Sequence, residues 1–166
     1  LEILEQRPET RTLYAPVGGG GLLSGLALAV KLTRPDIRVV GVEPEIAADA
    51  LASMKAGERV ALPAEQMART LADGVRVQRV GALNWPIIRQ HVDEVLTVSE
   101  AEICEAVRRI ATEARLVAEP SGALAAAAAL KFDLRPDAAV AVVSGGNADL
   151  ATLAAIFGGN AVTTEA

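Results

Sequence analysis

Along the chain, short runs of continuous apolar residues alternate with longer stretches spaced for one face of a helix, and this order predicts strands and helices in succession. Thr12-Leu-Tyr-Ala-Pro-Val17 reads as a buried strand and Leu22 to Val30 as a helix reaching about Lys31, with four glycines, Gly18 to Gly21, between them. Thr33-Arg-Pro-Asp36 turns the chain into a second strand, Ile37 to Glu43. Glu45 to Met54 is predicted helical, opened by Pro44 and ended by Gly57. The pattern from Glu58 to Leu83 is weak, with Thr70 to Val75 as a loop reaching inward. Asn84 to His91 begins a short helix with Pro86 in its first turn, and Asp93 to Val98 gives a third strand. Ser99 with Glu102 forms a capping box, and Ile103, Val107, Ile110 and Ala114 make the apolar stripe of the helix behind it. Pro120 opens a helix through Lys131. Ala138 to Val143 is an apolar run suited to a strand buried on both faces, and Asp149 to Phe157 is the last helix.

This succession belongs to the α/β class: a doubly wound parallel sheet with helices on both faces. Residues 1–11 are a lead-in containing the end of a helix and the breaker Pro8, residues 12–158 form the domain, and 159–166 are a tail. In such sheets ligands bind beyond the carboxyl ends of the strands. Three features stand at such ends, Gly18 to Gly21, Glu43, and Ser144-Gly-Gly-Asn147, and they are expected to converge on one crevice.

The chain's 166 residues are 51% hydrophobic, enough for one domain with a substantial core. Sixteen basic against twenty-one acidic residues leave a formal charge of -5, and only 2% are aromatic, which argues against a nucleic-acid surface. No apolar run reaches the length of a membrane span and no leader opens the chain, so a soluble, cytoplasmic protein is expected. Cys104 is the sole cysteine, excluding an internal disulfide and suiting a reducing compartment; its spacing suggests packing.

Strand, bare loop and helix together make an anion cradle. Glycine lets a ligand approach the main chain, and a helix N-terminus adds unpaired N–H donors with partial positive charge, so a phosphate is the natural occupant. A purely steric glycine turn is the plainer alternative. The loop is no P-loop, because Gly25 is followed by Leu26 and no Gly-Lys-Ser/Thr appears. It nearly meets the dinucleotide pattern, with Gly19, Gly21 and Ser24 for a pyrophosphate and Glu43 for a ribose.

Pro16-Val-Gly-Gly-Gly-Gly-Leu22, Gly41-Val-Glu-Pro44, Ala72-Asp-Gly-Val75, Glu119-Pro-Ser-Gly122 and Ser144-Gly-Gly-Asn147 stand in an order and at intervals that resemble the large domain of fold-type-II pyridoxal-phosphate enzymes. The resemblance, from about Pro16 to Phe157, is to the threonine/serine dehydratase and serine racemase branch. It implies that Gly18, Gly19, Gly20, Gly21 and Leu22 hold the phosphate of pyridoxal 5'-phosphate, that Asp73 and Gly74 line its pocket, and that Ser144, with Gly145 and Asn147, meets the pyridine nitrogen. A neutral hydroxyl favours the protonated ring less than a carboxylate does, which suits prompt β-elimination. Glu43 and Asp49, with the carbonyl of Ala47, match places where relatives hold a divalent cation, and oxygen ligands fit Mg²⁺ or Ca²⁺. Solvated acids near a helix start are the bland reading of the same residues. Glu119 belongs to that shell or to a helix start, and His91, the only histidine, is expected on a helix surface.

The family needs a Schiff-base lysine in a Ser-x-Lys-x-Arg setting, and none of Lys31, Lys55 and Lys131 stands in one. Lys31 lies ten residues beyond the glycines, about 15 Å at helical rise. The expectation is therefore a C-terminal portion whose N-terminal, lysine-bearing part is absent, with no catalytic residue of its own and inactive alone. The resemblance implies a pyridoxal-phosphate-dependent ammonia-lyase converting L-threonine or L-serine to a 2-oxo acid and ammonia, with serine racemisation, a nicotinamide-binding Rossmann domain and a non-catalytic binding module as alternatives. A small amino acid substrate and a homo-oligomer, commonly a dimer, are the expected partners, with no nucleic acid and no membrane.

Overall fold

A computed structural model describes residues 1–132 and 138–159. The elements run α1 (Glu2–Gln6), β1 (Thr12–Pro16), α2 (Gly21–Thr33), β2 (Arg38–Pro44), α3 (Asp49–Ala56), α4 (Ala64–Met67), α5 (Trp85–His91), β3 (Glu94–Val98), α6 (Glu100–Arg109), α7 (Pro120–Lys131), β4 (Ala139–Ala141) and α8 (Leu150–Phe157). The strands form one parallel sheet in the order β3-β2-β1-β4. Alternation along each strand divides the core into two layers, as the two faces of a pleated strand require. Leu13, Ala15, Val39 and Val95 pack under α2, α3 and α5, whereas Tyr14, Val40, Val42 and Val98 pack under α6, α7 and α8. The sheet is thus doubly wound, with helices on both faces as the alternating pattern predicts. Each large aliphatic side chain buried here, such as Leu23, Ile37 or Leu124, contributes about 1.5 to 3 kcal/mol of hydrophobic stabilisation.

Local signals set several boundaries. Ser99 Oγ accepts from the Glu102 amide while Glu102 Oε2 accepts from the Ser99 amide at 2.7 Å, closing the capping box at the start of α6. Gly57 ends α3 in the left-handed conformation at φ 74°. Cys104 is half-buried against the core, and burial raises its thiol pKa.

Three expectations need correction. The helix expected from Glu45 is two pieces, a 3₁₀ turn over Glu45–Ala47 and then α3, because Ala48 leaves helical geometry at φ -102°, ψ 58°. Ala114 lies outside the apolar stripe and is exposed: Ile110–Ala114 is a widened π turn, which shifts the phase of the stripe before Arg115 reverses the chain at φ 59°. The fourth strand is shorter than predicted and only half-buried, because among the described residues it is an edge that pairs with β1 alone. Part of the 159–166 tail lies outside the described residues.

Candidate functional site

The strand order puts a topological switch point between β1 and β4. From β1 the chain steps outward through β2 to β3, then returns to β4 on the other side. Loops leaving neighbouring strands at such a point diverge to opposite faces and leave a crevice between them. The two loops here are Gly18 to Gly21 after β1 and Ser144 to Asn147 after β4. They start side by side, since Tyr14 pairs with Ala141 and the Val142 amide donates to Tyr14 O at 2.9 Å.

The four glycines do two different jobs. A Cβ on Gly18 would lie 3.0 Å from Val75 Cα, and one on Gly20 would lie 2.7 Å from Ile88 Cδ1. Gly20 is also left-handed at φ 88°, where it serves as N-cap of α2. Those two are steric requirements. Gly19 and Gly21 instead face open space, with no described atom within 4 Å of a Cβ built on either. The N-cap Gly20 offers no side chain to the first amides of α2, which stand at the positive end of a thirteen-residue helix. Open space at a helix N-terminus is an arrangement that can take an anion.

Residues that the motifs do not reveal hold the cradle. Asn84 Nδ2 donates to Gly19 O at 2.6 Å, the Gly81 amide donates to the same oxygen at 3.0 Å, and Ser24 Oγ donates to Asn84 Oδ1 at 3.3 Å. The inward loop is fixed as firmly. Arg76 clamps Thr70 O through Nε at 3.0 Å and Nη2 at 2.6 Å, and the Leu71 amide donates to Glu100 Oε2 at 2.7 Å. Thr70, Leu71, Ala72 and Val75 are buried, leaving Asp73 and Gly74 on the surface.

A chain of close contacts joins this loop to the one after β4. Ser121 Oγ accepts from the Gly74 amide at 2.9 Å. One residue further along α7, a Cβ on Gly122 would sit 2.3 Å from Gly145 O, so the helix rests directly on the main chain after Ser144. The Ser144 amide donates to Gly122 O and the Glu119 amide to Gly145 O. Glu119 is the N-cap residue of α7, with Oε1 packed against Gly145 and toward Gly74, which assigns it to the helix start. Gly18, Val75, Gly74, Ser121, Gly122 and Gly145 thus follow one another in contact from one loop to the other. Leu22, Ser144 and Asn147 are exposed at the rim, and the Ser144 hydroxyl and Asn147 amide have no hydrogen-bond partner among the described residues.

Glu43 does not join that crevice by any bond. It is fully buried, and its carboxylate oxygens accept from the Ala50 and Leu51 amides at 2.9 Å each, capping α3. Asp49 is also buried, and its carboxylate faces the Val80 main chain and the Glu43 carboxyl, with no placed hydrogen bond closing on either oxygen. Burial raises the pKa of both acids, and Glu43 is raised further by Asp49 beside it. Ala47, between them in sequence, is buried too. Among the described residues no group of three or more His, Cys, Asp or Glu is placed to hold a metal.

The lysines are committed elsewhere. Lys31 Nζ donates to Ile37 O at 2.8 Å and pairs with Asp93, at the amino ends of β2 and β3. Lys131 pairs with Glu45 and Glu102, which hold its ammonium more firmly charged. Lys55 is exposed in the last turn of α3, and His91 ends α5 half-buried.

A family model described as pyridoxal-phosphate dependent enzyme matches residues 1–146. Serine racemase of Arabidopsis thaliana is 41% identical over 160 residues, which cover 92% of this chain and 47% of that protein. The L-threonine ammonia-lyase of Thermotoga maritima is 38% identical over 151 residues, covering 90% of this chain and 37% of its own. Among solved structures, maize serine racemase superposes with a TM-score of 0.83 at 39% identity, over 95% of this chain and 49% of that one. A threonine deaminase from T.th. superposes with a TM-score of 0.84 at 46% identity, over 90% of this chain and 54% of its own. The chain therefore spans about half the length, or less, of the relatives it matches.

Proposed function

The chain belongs to the family of pyridoxal-phosphate-dependent enzymes, and from that membership we propose that it is the cofactor-binding portion of an ammonia-lyase that converts L-threonine or L-serine to a 2-oxo acid and ammonia. The single observation that carries the proposal is the pair of loops at the switch point, one a glycine run with open space at the α2 N-terminus and the other opening on a hydroxyl that has no partner among the described residues. The amides of Gly19 to Leu22 would bind the cofactor's phosphate, and the α2 N-terminus adds favourable potential. Ser144 would face the pyridine nitrogen, with Gly145 and Asn147 beside it, while Asp73 and Gly74 wall the pocket. When bound, the cofactor supplies an aldehyde that captures the substrate amine and a ring that withdraws electrons from Cα. The residues of this chain position and polarise that ring. Among the described residues Lys31 and Lys131 are tied into ion pairs and Lys55 is exposed in the last turn of α3, so none of the three is assigned as the proton-transfer base.

The lysine that would carry the cofactor is therefore assigned to a part of the protein beyond this chain, consistent with the coverage of its relatives. The exposed apolar side chains Leu22, Val117 and Val143 suit coverage by that part or by a second copy in a dimer. Among the described residues no helix is long and apolar enough to cross a membrane, and a cytoplasmic setting suits the single unpaired cysteine.

A divalent cation, Mg²⁺ or Ca²⁺, is proposed at Asp49. Two buried carboxylate oxygens with no placed hydrogen bond are costly unless an ion or donor meets them; a cation there would draw on the remaining lone pairs of Glu43, whose oxygens also accept from the Ala50 and Leu51 amides, and on the Ala47 carbonyl. The nicotinamide reading loses its ribose acceptor, because Glu43 is spent on the α3 amides and has no exposed surface. Racemisation of serine remains the second reading, favoured by the identity to the plant serine racemase.

An absorbance titration tests the cofactor assignment. Saturable spectral change with pyridoxal phosphate and none with NAD is expected; binding of NAD alone would overturn it. Assay of ammonia against D-serine on the full-length protein then separates elimination from racemisation.

A further inference from the structure

Residues 76–81 form a short strap fixed at both ends to the glycine loop: Val75 packs on Gly18, and the Gly81 amide donates to Gly19 O. Its outer side faces Arg59 to Ala61, joined to it where the Leu62 amide donates to Gln78 O at 2.9 Å. Between them lies an open cavity of about 560 Å³, lined by Arg59, Arg76 and Arg79 and by no carboxylate. We propose that this cavity binds a small molecule carrying two or more oxyanion groups, at a site separate from the cofactor cradle.

The argument starts from charge. Arg7, Arg11, Arg34, Arg38, Arg108 and Arg109 all meet carboxylates in this chain of net charge -5. Among the described residues the three at the cavity do not, and unlike Arg89 and Arg115, which also meet no carboxylate, they line one cavity together. Arg59 Nη1 donates to Val80 O at 3.3 Å and Arg76 donates to Thr70 O, both neutral carbonyls that orient a guanidinium without cancelling its charge. Arg79 is exposed and has no partner among the described residues. Guanidinium groups bind carboxylate or phosphate in a bidentate fork, and fixed ones lose less freedom on binding. The volume is that of a small-molecule pocket rather than a single-ion site, and three cations exceed what one monovalent group uses. None of Gly18, Gly19, Gly20 and Gly21 lines the cavity, so an occupant would not compete for the cradle amides.

The test is calorimetric titration of the full-length protein, saturated with pyridoxal phosphate, using pyrophosphate and citrate as probes. At least one probe is expected to bind, with Arg79→Gln weakening it about tenfold, the scale of one lost charged hydrogen bond, and Arg79→Lys recovering part of the loss. Preference for pyrophosphate would mark a phosphorylated ligand, and preference for citrate a polycarboxylate. Among the described residues the Arg79 side chain makes no bond, so the Gln variant is expected to keep its melting temperature and its pyridoxal-phosphate affinity. Absence of binding by both probes, or equal binding by Arg79→Gln, would overturn the proposal. So would a parallel loss of cofactor affinity, which would place the anion in the cradle. A lowered melting temperature in Arg79→Gln without probe binding would instead assign the arginines to ion pairs with another part of the protein.

Discussion

At the scale of single residues, the glycine run shows that one residue type answers two demands. Gly20 is glycine because of its neighbours and its φ of 88°: an added methyl would strike Ile88, and the left-handed backbone alone costs an alanine about 1 to 2 kcal/mol. Gly19 is glycine with open space around it, so no described neighbour imposes it. Gly20→Ala is therefore expected to destabilise by at least about 2 kcal/mol in urea unfolding, overpacking adding to backbone strain. Gly19→Ala should change stability by less than about 0.5 kcal/mol, as a surface substitution does. Its effect should appear instead as pyridoxal-phosphate affinity weakened by about tenfold, because a methyl intrudes where the phosphate must approach the main chain. If Gly19→Ala binds cofactor as well as the parent, the cradle is not where the phosphate sits.

At the scale of elements, α7 is the piece that ties the site together, since its first turn touches both the inward loop and the segment after β4. Gly122→Ala drives a methyl into Gly145 O, backbone against backbone, and neither side has a flexible end to give. We expect a loss of about 1 to 3 kcal/mol together with a shift in the absorbance of bound cofactor, as Ser144 moves with its loop. Ser99→Ala at the start of α6 should cost about 1 kcal/mol and leave that spectrum untouched, which separates general destabilisation from displacement of the site. The contrast also marks what the sequence could reveal. The capping box, the Gly57 stop and the Pro120 start are written in residues within a turn of one another, and the order of elements follows from them. Burial of the last strand was not legible, because whether a strand is an edge depends on where residues far along the chain pair. Asn84 and Ser121 were not legible for the same reason: their partners, Gly19 and Gly74, lie 65 and 47 positions away. Ala114 misled because a π turn changes the helical period without an obvious residue to announce it.

At the scale of the whole molecule, the parallel sheet sends Glu43 toward the α2 and α3 face while the two glycine loops meet at the switch point, so one chain carries two separate polar centres. The second centre opposes folding when it is bare. Burial raises the carboxyl pKa of both Glu43 and Asp49, and their mutual proximity raises Glu43 further, so the folded state holds protons that the unfolded state releases near pH 4. A raised acid contributes its full stability below the unfolded pKa and loses it as the pH climbs through the folded values. In chelator, the unfolding midpoint should therefore fall between pH 5 and pH 8. An ion bound by the two carboxylates replaces those protons and stabilises only the folded state, so millimolar Mg²⁺ or Ca²⁺ should raise the midpoint at pH 8 and flatten the pH dependence. Asp49→Asn removes one buried charge and the ligand together, so it should be less pH-dependent than the parent in chelator and unresponsive to either cation. Thermal unfolding at pH 5.5 and 8, with chelator or cation, reads all of these at once. A midpoint at pH 8 that ignores both cations in the parent protein would show that Asp49 is satisfied without a metal.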